Sequence, residues 1–275
     1  ILPGYINERN ELISNSAINT DGTAIYYTVC TYLNGSEIQC QIYKSDLSPD
    51  GILSNEVILP DPINIASSTS THPHIAKDKL SGKEILYFVS DRQGGKGNLD
   101  IWYSVIDAKF GYSEPVNIVE INTGDNEITP FYNQQTDFLF FSSDGREGLG
   151  GYDVYKVAKT NDAFGSVVAA GAPLNSSYND IYYFEKQDGT QAYISSNREG
   201  AFYLDSYFES CCYDIYKMDI IKLELNLNAL TYDKLTGRDL KKATVILIDQ
   251  DTGVELARVT NDDGIPSPGL LGLAI

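Results

Sequence analysis

The sequence has little of what metal, redox and nucleic-acid sites are built from. Its 275 residues include only two histidines, four cysteines and one methionine. His72 and His74 lie together in THPHI without a third ligand nearby, so they are interpreted as structural rather than as two metal ligands. Basic residues number 20 against 38 acidic ones, and the formal net charge is −18. No basic cluster is available to bind phosphates, so no nucleic-acid partner is expected. Because histidine and cysteine ligands are few, no metal is expected, and no cofactor is expected either.

Signals for membrane spans and for catalysis are also missing. No apolar run approaches the roughly 20 residues that cross a bilayer. No G-x-S-x-G nucleophile motif occurs. No recurring set of nucleophile, base and oxyanion donors stands out either. The sequence therefore predicts no catalytic residues, no small-molecule substrate and no enzymatic activity.

Tyrosine and glycine are plentiful, and they occur in repeats. The chain has 20 tyrosines and 23 glycines, a composition that favours strands and tight turns. The segment SSDGREGLGGYDVY at 142–155 aligns without a gap on VSDRQGGKGNLDIW at 89–102. A third copy runs from SSNREG at 195–200 to YDIYKM at 213–218, with an insertion between the two parts. Internal repeats of this kind are the strongest indication of the fold.

The repeating unit has four short strands and begins with an apolar residue followed by asparagine. The pairs are Ile6-Asn7, Ile63-Asn64, Ile121-Asn122 and Leu174-Asn175. Four strands per unit of this length predict one β-propeller blade per repeat. We therefore expect an all-β chain whose residues 1–221 form a propeller with four recognisable blades. The fourth unit lacks its own last strand, so either residues 1–5 close the ring or a further blade lies upstream.

Three aspartates open the third strand of their units. Asp100, Asp153 and Asp214 are expected to accept hydrogen bonds from the amides of the glycine-rich loops. The alternative is a repeated Ca²⁺ site that also uses Asp144, although the first unit has Gln41 at the corresponding position. Capping is the favoured interpretation.

The first unit contains a hairpin that can hold a disulfide. A three-residue loop at 34–36 places Cys30 opposite Cys40 on neighbouring strands. Opposed Cβ atoms lie about 4.5–5.5 Å apart, close to the distance that a disulfide needs. A Cys30–Cys40 bond is therefore predicted, with two free thiols as the alternative. A bond between the adjacent Cys211 and Cys212 would be strained.

The pattern changes at Lys222. TVILID and VELARVT, with Asp-Thr-Gly between them, predict a hairpin, and the Asp-Lys-Leu-Thr-Gly segment predicts another turn. Residues 222–275 are expected to form the first part of a transthyretin- or immunoglobulin-like β-sandwich that is truncated.

These two modules resemble a known combination. YFVSDRQGGKGNLDIWYS and FFSSDGREGLGGYDVYKV resemble the TolB-type, WD-repeat-like propeller repeats of bacterial periplasmic proteins. The stretch LTGRDLKKATVILIDQDTGVELARVTNDDG resembles the carboxypeptidase-regulatory-like domain, which is a transthyretin-like sandwich. Their succession is similar to OmpA-family lipoproteins of Bacteroidetes, including the PorE type of the type IX secretion system.

The resemblance implies a scaffold rather than an enzyme. It implies a periplasmic, outer-membrane-associated protein that contacts outer-membrane or secretion-system proteins and is anchored to peptidoglycan through a domain outside this chain. The alternative is a propeller that binds glycans or hydrolyses glycosides. The insertion at 201–210 is rich in aromatic residues, which either dock a partner or fold back over the fourth blade. The candidate partner-binding residues are Arg92, Arg146, Phe202, Tyr203, Tyr207 and Phe208.

Overall fold

The fold was analysed in a computed structural model, which describes residues 12–35, 37–160, 163–201, 213–221, 224–227, 231–248, 255–260 and 271–274. These residues form strands, turns and loops, and none of them lies in a helix. Accordingly, the described part of the chain has no helix that could cross a membrane. Contacts divide the chain into two compact units, Ile1–Asp219 and Ile220–Ile275.

The first unit consists of four antiparallel sheets, which are the blades of a β-propeller, as the repeats predict. In blade one the strands are β1 (Leu12–Ile18), β2 (Ala24–Asn34), β3 (Glu37–Leu47) and β4 (Leu53–Ile58). In blade two they are β5 (Ser70–Lys77), β6 (Glu84–Ser90), β7 (Asp100–Asp107), β8 (Gly111–Tyr112) and β9 (Val116–Asn117), where both β8 and β9 pair with β7. Blade three has β10 (Glu127–Asn133), β11 (Phe138–Ser143), β12 (Asp153–Thr160) and β13 (Ala163–Ala169). Blade four has β14 (Asp180–Glu185), β15 (Gln191–Ser196) and β16 (Asp214–Asp219).

The core lies between the blades, and the alternation of side chains along each strand explains it. In β6, Leu86 and Phe88 pack into the cluster shared with blade one. Their neighbours Tyr87 and Val89 pack into the cluster shared with blade three. Successive side chains of a strand point to opposite faces, so a sheet covered on both faces needs an unbroken apolar run. This is why EILYFVS reads as a continuous hydrophobic segment.

The recurring asparagine clamps the third strand of blades one, two and three. Its side-chain oxygen accepts a hydrogen bond from a backbone N–H of that strand, and its side-chain nitrogen donates to the carbonyl of the same residue, at 2.8–2.9 Å. The pairs are Asn64 with Ile42, Asn122 with Ile101, and Asn175 with Val154. The asparagine thus satisfies two backbone groups in the interior, where leaving them unpaired is costly.

The aspartates that open the third strands cap the glycine-rich loops, which confirms that interpretation for two of them. The carboxylate of Asp100 accepts from the N–H groups of Lys96 and Gly97 at 2.5 and 3.0 Å. The carboxylate of Asp153 accepts from Leu149 and Gly150 at 2.6 and 2.9 Å. Glycine is required at Gly150, because a Cβ atom there would lie 1.8 Å from the carbonyl oxygen of Tyr178.

Blade one has a disulfide-linked hairpin in place of a glycine-rich loop. Cys30 and Cys40 are paired across β2 and β3, as predicted, and are joined by a disulfide with an S–S distance of 2.02 Å. In the register of the blades, Cys30 takes the place of Asp144 in blade three, whose carboxylate accepts from the N–H of Asn126. A covalent link therefore stands where another blade has a side-chain cap. Cys211 and Cys212 lie outside the described residues.

Among the described residues, no strand covers the outer edge of blade four. Ile215 of β16 corresponds to Ile42, Ile101 and Val154 in the other blades. Those three residues are fully buried, whereas Ile215 is 76% exposed. The difference arises because no fourth strand pairs with β16 among the described residues. Residues 1–5, one of the two alternatives for closing the ring, lie outside the described residues.

The second unit is described only in part. β17 (Glu224–Leu227) pairs with β20 (Leu271–Ala274), and β18 (Thr244–Ile248) pairs with β19 (Glu255–Thr260). Both pairs are antiparallel. The hairpin expected from TVILID and VELARVT is present as β18 and β19, while the β-sandwich itself stays a prediction.

Candidate axial binding site

The four inner strands share an unusual backbone feature at the propeller axis. Each has a register shift at a β-bulge, and at each bulge one non-glycine residue adopts the left-handed conformation. These residues are Asn15 (φ 50°), His72 (φ 48°), Thr129 (φ 53°) and Tyr182 (φ 57°). Left-handed non-glycine residues are uncommon and concentrate where function or tertiary packing demands them. The repeat thus places four different side chains in equivalent positions at the axis.

Proline explains two of these bulges locally. Pro73 follows His72, and Pro130 follows Thr129. Proline has no N–H to donate to a sheet ladder, so within sheets it is confined to edges and bulges. The inner strands pack side by side around the axis, with β5 against β1, β10 against β5, and β14 against β10.

A chain of hydrogen bonds connects the bulge residues across the blades. The Tyr182 hydroxyl donates to the side-chain oxygen of Asn15, which joins blade four to blade one. The Asn15 amide donates to the Thr71 hydroxyl at 3.2 Å. The Thr129 hydroxyl accepts from the backbone N–H of Tyr182 at 3.3 Å and donates to Ser142 at 3.1 Å. The polar groups that line the axis therefore form hydrogen bonds mostly with one another.

Two cavities lie along the axis and share one wall. The bulge-side cavity, of 210 Å³, is lined by residues of all four inner strands: Asn15, Ser16, 72–74, 129–131 and 182–184. The turn-side cavity, of 250 Å³, reaches the turns that follow these strands and is lined by 18–20, His74, Ile75, 131–135 and 184–187. His74, Phe131 and Phe184 belong to both.

Aromatic rings form that shared wall. The ring centroids of Phe131 and Phe184 are 5.2 Å apart, and those of His74 and Phe131 are 5.3 Å apart in an edge-on arrangement. Phe131 is buried at 9% exposure, whereas Phe184 is 50% exposed. A buried ring thus packs against a half-exposed ring that lines both cavities.

The two histidines are held neutral by burial. Desolvation lowers the pKa of both His72 and His74 to about 4. For His74, a hydrogen bond to the backbone of Tyr132 acts in the opposite direction and is the weaker effect. Nδ1 of His72 and Nε2 of His74 are buried without a hydrogen-bond partner. At neutral pH both rings are therefore uncharged, each with an unsatisfied nitrogen.

Glu185 contributes a carboxylate to the lining of the turn-side cavity. Glu185 accepts hydrogen bonds from the Asn133 amide at 2.8 Å and from the Tyr183 hydroxyl at 3.3 Å. Burial, followed by the charge of Glu185, raises the pKa of Tyr183. Among the residues that the structure describes, no cluster of three or more histidine, cysteine or acidic side chains is placed to hold a metal ion.

The two arginines predicted to contact partners are engaged within their own blades. Arg92 is 7% exposed, and its guanidinium donates to the carbonyls of Pro62 and Ile63 at 2.8 and 2.5 Å. Arg146 donates to the carbonyl of Ile121 at 2.7 Å, and its Nε is buried without a partner. Both therefore bind the segment that leads into the blade. Their predicted contact with a partner stays a prediction.

The four aromatic residues predicted to bind a partner are not among the described residues that line the axis. Phe202, Tyr203, Tyr207 and Phe208 lie outside the described residues. The axial set was missed in the sequence, apart from the histidines, which were interpreted as structural. The signal that could have found it is proline inside a strand: Pro73 and Pro130 occur in segments that otherwise read as inner strands.

Comparisons with known proteins bear on the fold. No model of a protein family matches this chain, and no curated protein matches it. Among solved structures, the chain is similar to a xylan beta-1,4-xylosidase from Bacillus halodurans C-125, with a TM-score of 0.51, 14% identity, and coverage of 77% of this chain and 42% of that one. An alpha-L-arabinofuranosidase from Lactobacillus brevis gives a TM-score of 0.48 at 11% identity, covering 77% of this chain and 69% of that one. A GH43 beta-1,3-galactosidase gives 0.45 at 10% identity, covering 90% and 75%. The xylosidase shows a shared propeller fold, and this chain spans 42% of its length.

The expectation that the chain is not an enzyme is corrected by the fold comparison, because the xylosidase that shares the propeller fold is an enzyme and the fold therefore gives no ground for excluding activity. The expectation was based on repeats whose recurring residues serve turns and strand packing. Those residues build the frame of each blade, and they carry no information about the side chains at the axis, where the blades differ. An absence of catalytic motifs in the repeats therefore excludes nothing at the axis.

Proposed function

We propose that the propeller binds an uncharged glycan at its axis, with the turn-side cavity as the main contact. The observation that carries this proposal is the composition of that cavity, which combines a half-exposed phenylalanine with amide groups, one carboxylate and one lysine, Lys186. A sugar ring has apolar C–H faces that pack on aromatic rings, and its hydroxyls both donate and accept hydrogen bonds. Amides and carboxylates complement those hydroxyls.

Phe184 is the proposed platform for the sugar ring. It is half exposed, and its ring centroid lies 5.2 Å from that of the buried Phe131, with the two rings tilted by 57°. An open aromatic side chain at the mouth of a cavity is typical of a binding surface. Gln135 and Gln187 present amide groups at the same cavity. Glu185, fixed by Asn133, adds a carboxylate that can accept from a sugar hydroxyl.

Charge and fold support the choice of ligand. The net charge of −18 disfavours acidic polysaccharides through long-range repulsion. The solved structure that shares the fold at a TM-score of 0.51 is named as a xylosidase acting on xylan, which makes neutral xylan fragments the first ligands to test. Because that likeness is one of fold, the proposal depends on the cavity rather than on the comparison.

The experiment measures binding of neutral oligosaccharides by isothermal titration calorimetry. Fragments of xylan, arabinan and β-1,3-galactan are titrated into the wild-type chain and into Phe184→Ala. Loss of an aromatic platform is expected to weaken binding by about tenfold. Phe110→Ala is the matched control, because Phe110 is 77% exposed and lies outside both axial cavities. Absence of binding to every fragment, or equal affinity in Phe184→Ala, would contradict the proposal.

Hydrolysis is assayed on the same samples. Glycosidases use two carboxyl groups about 5–9.5 Å apart. Glu185 is the carboxyl group in the lining of the turn-side cavity. Release of reducing sugar by the wild type, abolished in Glu185→Gln, would extend the proposal from binding to catalysis.

The cellular setting is proposed from the sequence resemblance alone. It comprises a periplasmic location at the outer membrane, a link to type IX secretion, anchoring to the cell wall through a domain outside this chain, and a sandwich formed by residues 222–275. A glycan-binding axis is compatible with this setting, because the cell wall is itself a glycan network.

A further inference from the structure

The bulge-side cavity gives the glycan site a second contact, and this inference rests on the proposed function. We propose that the bulge-side cavity is a hydroxyl-recognition subsite, in which Nε2 of His74 accepts a hydrogen bond from a ligand hydroxyl group and Nδ1 of His72 forms a hydrogen bond with a second hydroxyl group. The ligand class is an uncharged sugar with free hydroxyls that enter from the turn-side cavity. His74 belongs to the lining of both cavities and connects them.

The hydrogen bonding of His74 determines which of its nitrogens can accept. Its bond to the backbone of Tyr132 favours protonation, as a bond from a ring N–H to a carbonyl does. We assign the proton to Nδ1, which leaves Nε2, unpartnered among the described residues, as the acceptor. Nε2 of the neutral ring is consequently a bare lone pair. Such a group can be satisfied only by a donor or by a metal ion.

His72 presents its nitrogen from a strained position. It occupies the left-handed bulge of β5, with Pro73 immediately after it. Its ring packs 5.6 Å from the ring of Tyr182 across the axis, at an interplanar angle of 33°. Backbone conformation and ring packing together restrict where Nδ1 can point. Nδ1 is buried and has no partner.

Among the residues that the structure describes, none donates to either nitrogen, although donors line the same cavity. The Tyr182 hydroxyl donates to Asn15, the Asn15 amide donates to Thr71, and the Thr129 hydroxyl donates to Ser142. Buried polar atoms in folded proteins are nearly always satisfied by protein or by ordered water, so two unpartnered ring nitrogens on residues that line one cavity indicate a missing partner. A ligand with several hydroxyl donors can satisfy both.

A hydroxyl donor is favoured over a metal ion by the surrounding groups. Among the described residues no third histidine, cysteine or acidic side chain joins the two histidines, and a zinc site takes three or four protein ligands. Glu185 is the acidic side chain in the lining of the two cavities, and it lines the turn-side cavity alone. The metal ion therefore becomes an outcome of the test.

The test uses the full chain and the neutral oligosaccharide that binds the wild type most tightly, together with its monodeoxy derivatives. His74→Phe keeps an aromatic ring and removes the acceptor, and it is expected to weaken binding about tenfold or more. His74→Gln restores an acceptor and is expected to recover most of the affinity. Wild type is expected to reject at least one monodeoxy derivative that His74→Phe binds as well as the parent sugar. Phe110→Ala serves as the control, and circular dichroism verifies the fold of each variant.

The outcomes separate this inference from the proposed function. If both His74→Phe and His72→Phe bind like wild type while Phe184→Ala does not, the subsite is wrong and the glycan site stands. If the wild type binds no oligosaccharide, both are wrong. If EDTA abolishes binding and Zn²⁺ restores it, the histidines hold a metal and the subsite is overturned. Should His74→Phe fail to fold, wild type that binds every monodeoxy derivative as tightly as the parent sugar overturns the subsite by itself.

Discussion

At the scale of single residues, the two axial histidines make folding depend on pH. Burial lowers the pKa of His72 and His74 to about 4, from an ordinary value of 6.5. In the unfolded chain both rings are exposed and titrate near 6.5. Between these values the unfolded state binds more protons than the folded state, so stability decreases as pH falls. Above pH 6.5 both states are neutral and the penalty vanishes.

We expect His74→Gln to reduce this dependence. Urea unfolding at pH 7.5 and 5.0 measures the free energy of unfolding of both proteins, and the wild type should lose more stability than the variant on acidification. Asp107, whose pKa is lowered to about 2 chiefly by the hydrogen bond from Lys83, stays ionised throughout this range and does not contribute. The same loss in both proteins would show that His74 is not buried as a neutral ring.

At the scale of elements, the asparagine clamp holds the third strand of a blade to the segment that precedes the next blade. Asn122 accepts from the N–H of Ile101 and donates to its carbonyl, both at 2.9 Å, and it is 3% exposed. In Asn122→Ala the N–H of Ile101 remains buried and loses its acceptor. An unsatisfied buried backbone group costs about 1–3 kcal/mol.

Urea unfolding of Asn122→Ala should therefore show a decrease of this size in the free energy of unfolding. Asn98→Ala is the control, because Asn98 is an exposed residue of the glycine-rich loop of the same blade, and its change should stay within about 0.5 kcal/mol. A decrease no larger for Asn122→Ala than for Asn98→Ala would remove the clamp from the account of stability.

These elements also show what the sequence could predict. The run EILYFVS predicts a strand buried on both faces, and the Cys30–Cys40 pairing follows from the length of one hairpin loop. The spacing of Asn64, Asn122 and Asn175 predicts the repeat but not the clamp, because the partner lies 21 or 22 residues earlier and is found only with the register between strands. Pro73 and Pro130 mark two of the axial bulges in the sequence, but the site as a whole could not be predicted for the same reason: Asn15, His72, Thr129 and Tyr182 meet only after four blades have assembled.

At the scale of the whole molecule, the propeller separates its frame from its site. The recurring residues cap loops, clamp strands and fill the space between blades, and they recur from unit to unit, with the Cys30–Cys40 disulfide replacing the capped loop in blade one. The four bulges at the axis also recur, yet they carry an asparagine, a histidine, a threonine and a tyrosine. Repetition therefore fixes where the site lies, and the differences between blades determine its chemistry.

This separation leads to a prediction about the two units of the chain. Every residue that lines the axial cavities lies between Asn15 and Gln187, within the unit Ile1–Asp219. A chain ending at residue 221, at the boundary predicted from the sequence, should therefore fold and bind the same oligosaccharide as the full chain with an affinity that agrees within about twofold. Calorimetry measures the affinity, and urea unfolding monitored by tyrosine fluorescence measures the stability of the shortened protein. Asn122→Ala introduced into the shortened chain is the internal standard, since its effect on stability should equal that in the full chain if the units fold independently. A shortened chain that is folded but binds tenfold more weakly would place part of the ligand contact in residues 222–275 and contradict an axial site confined to the propeller.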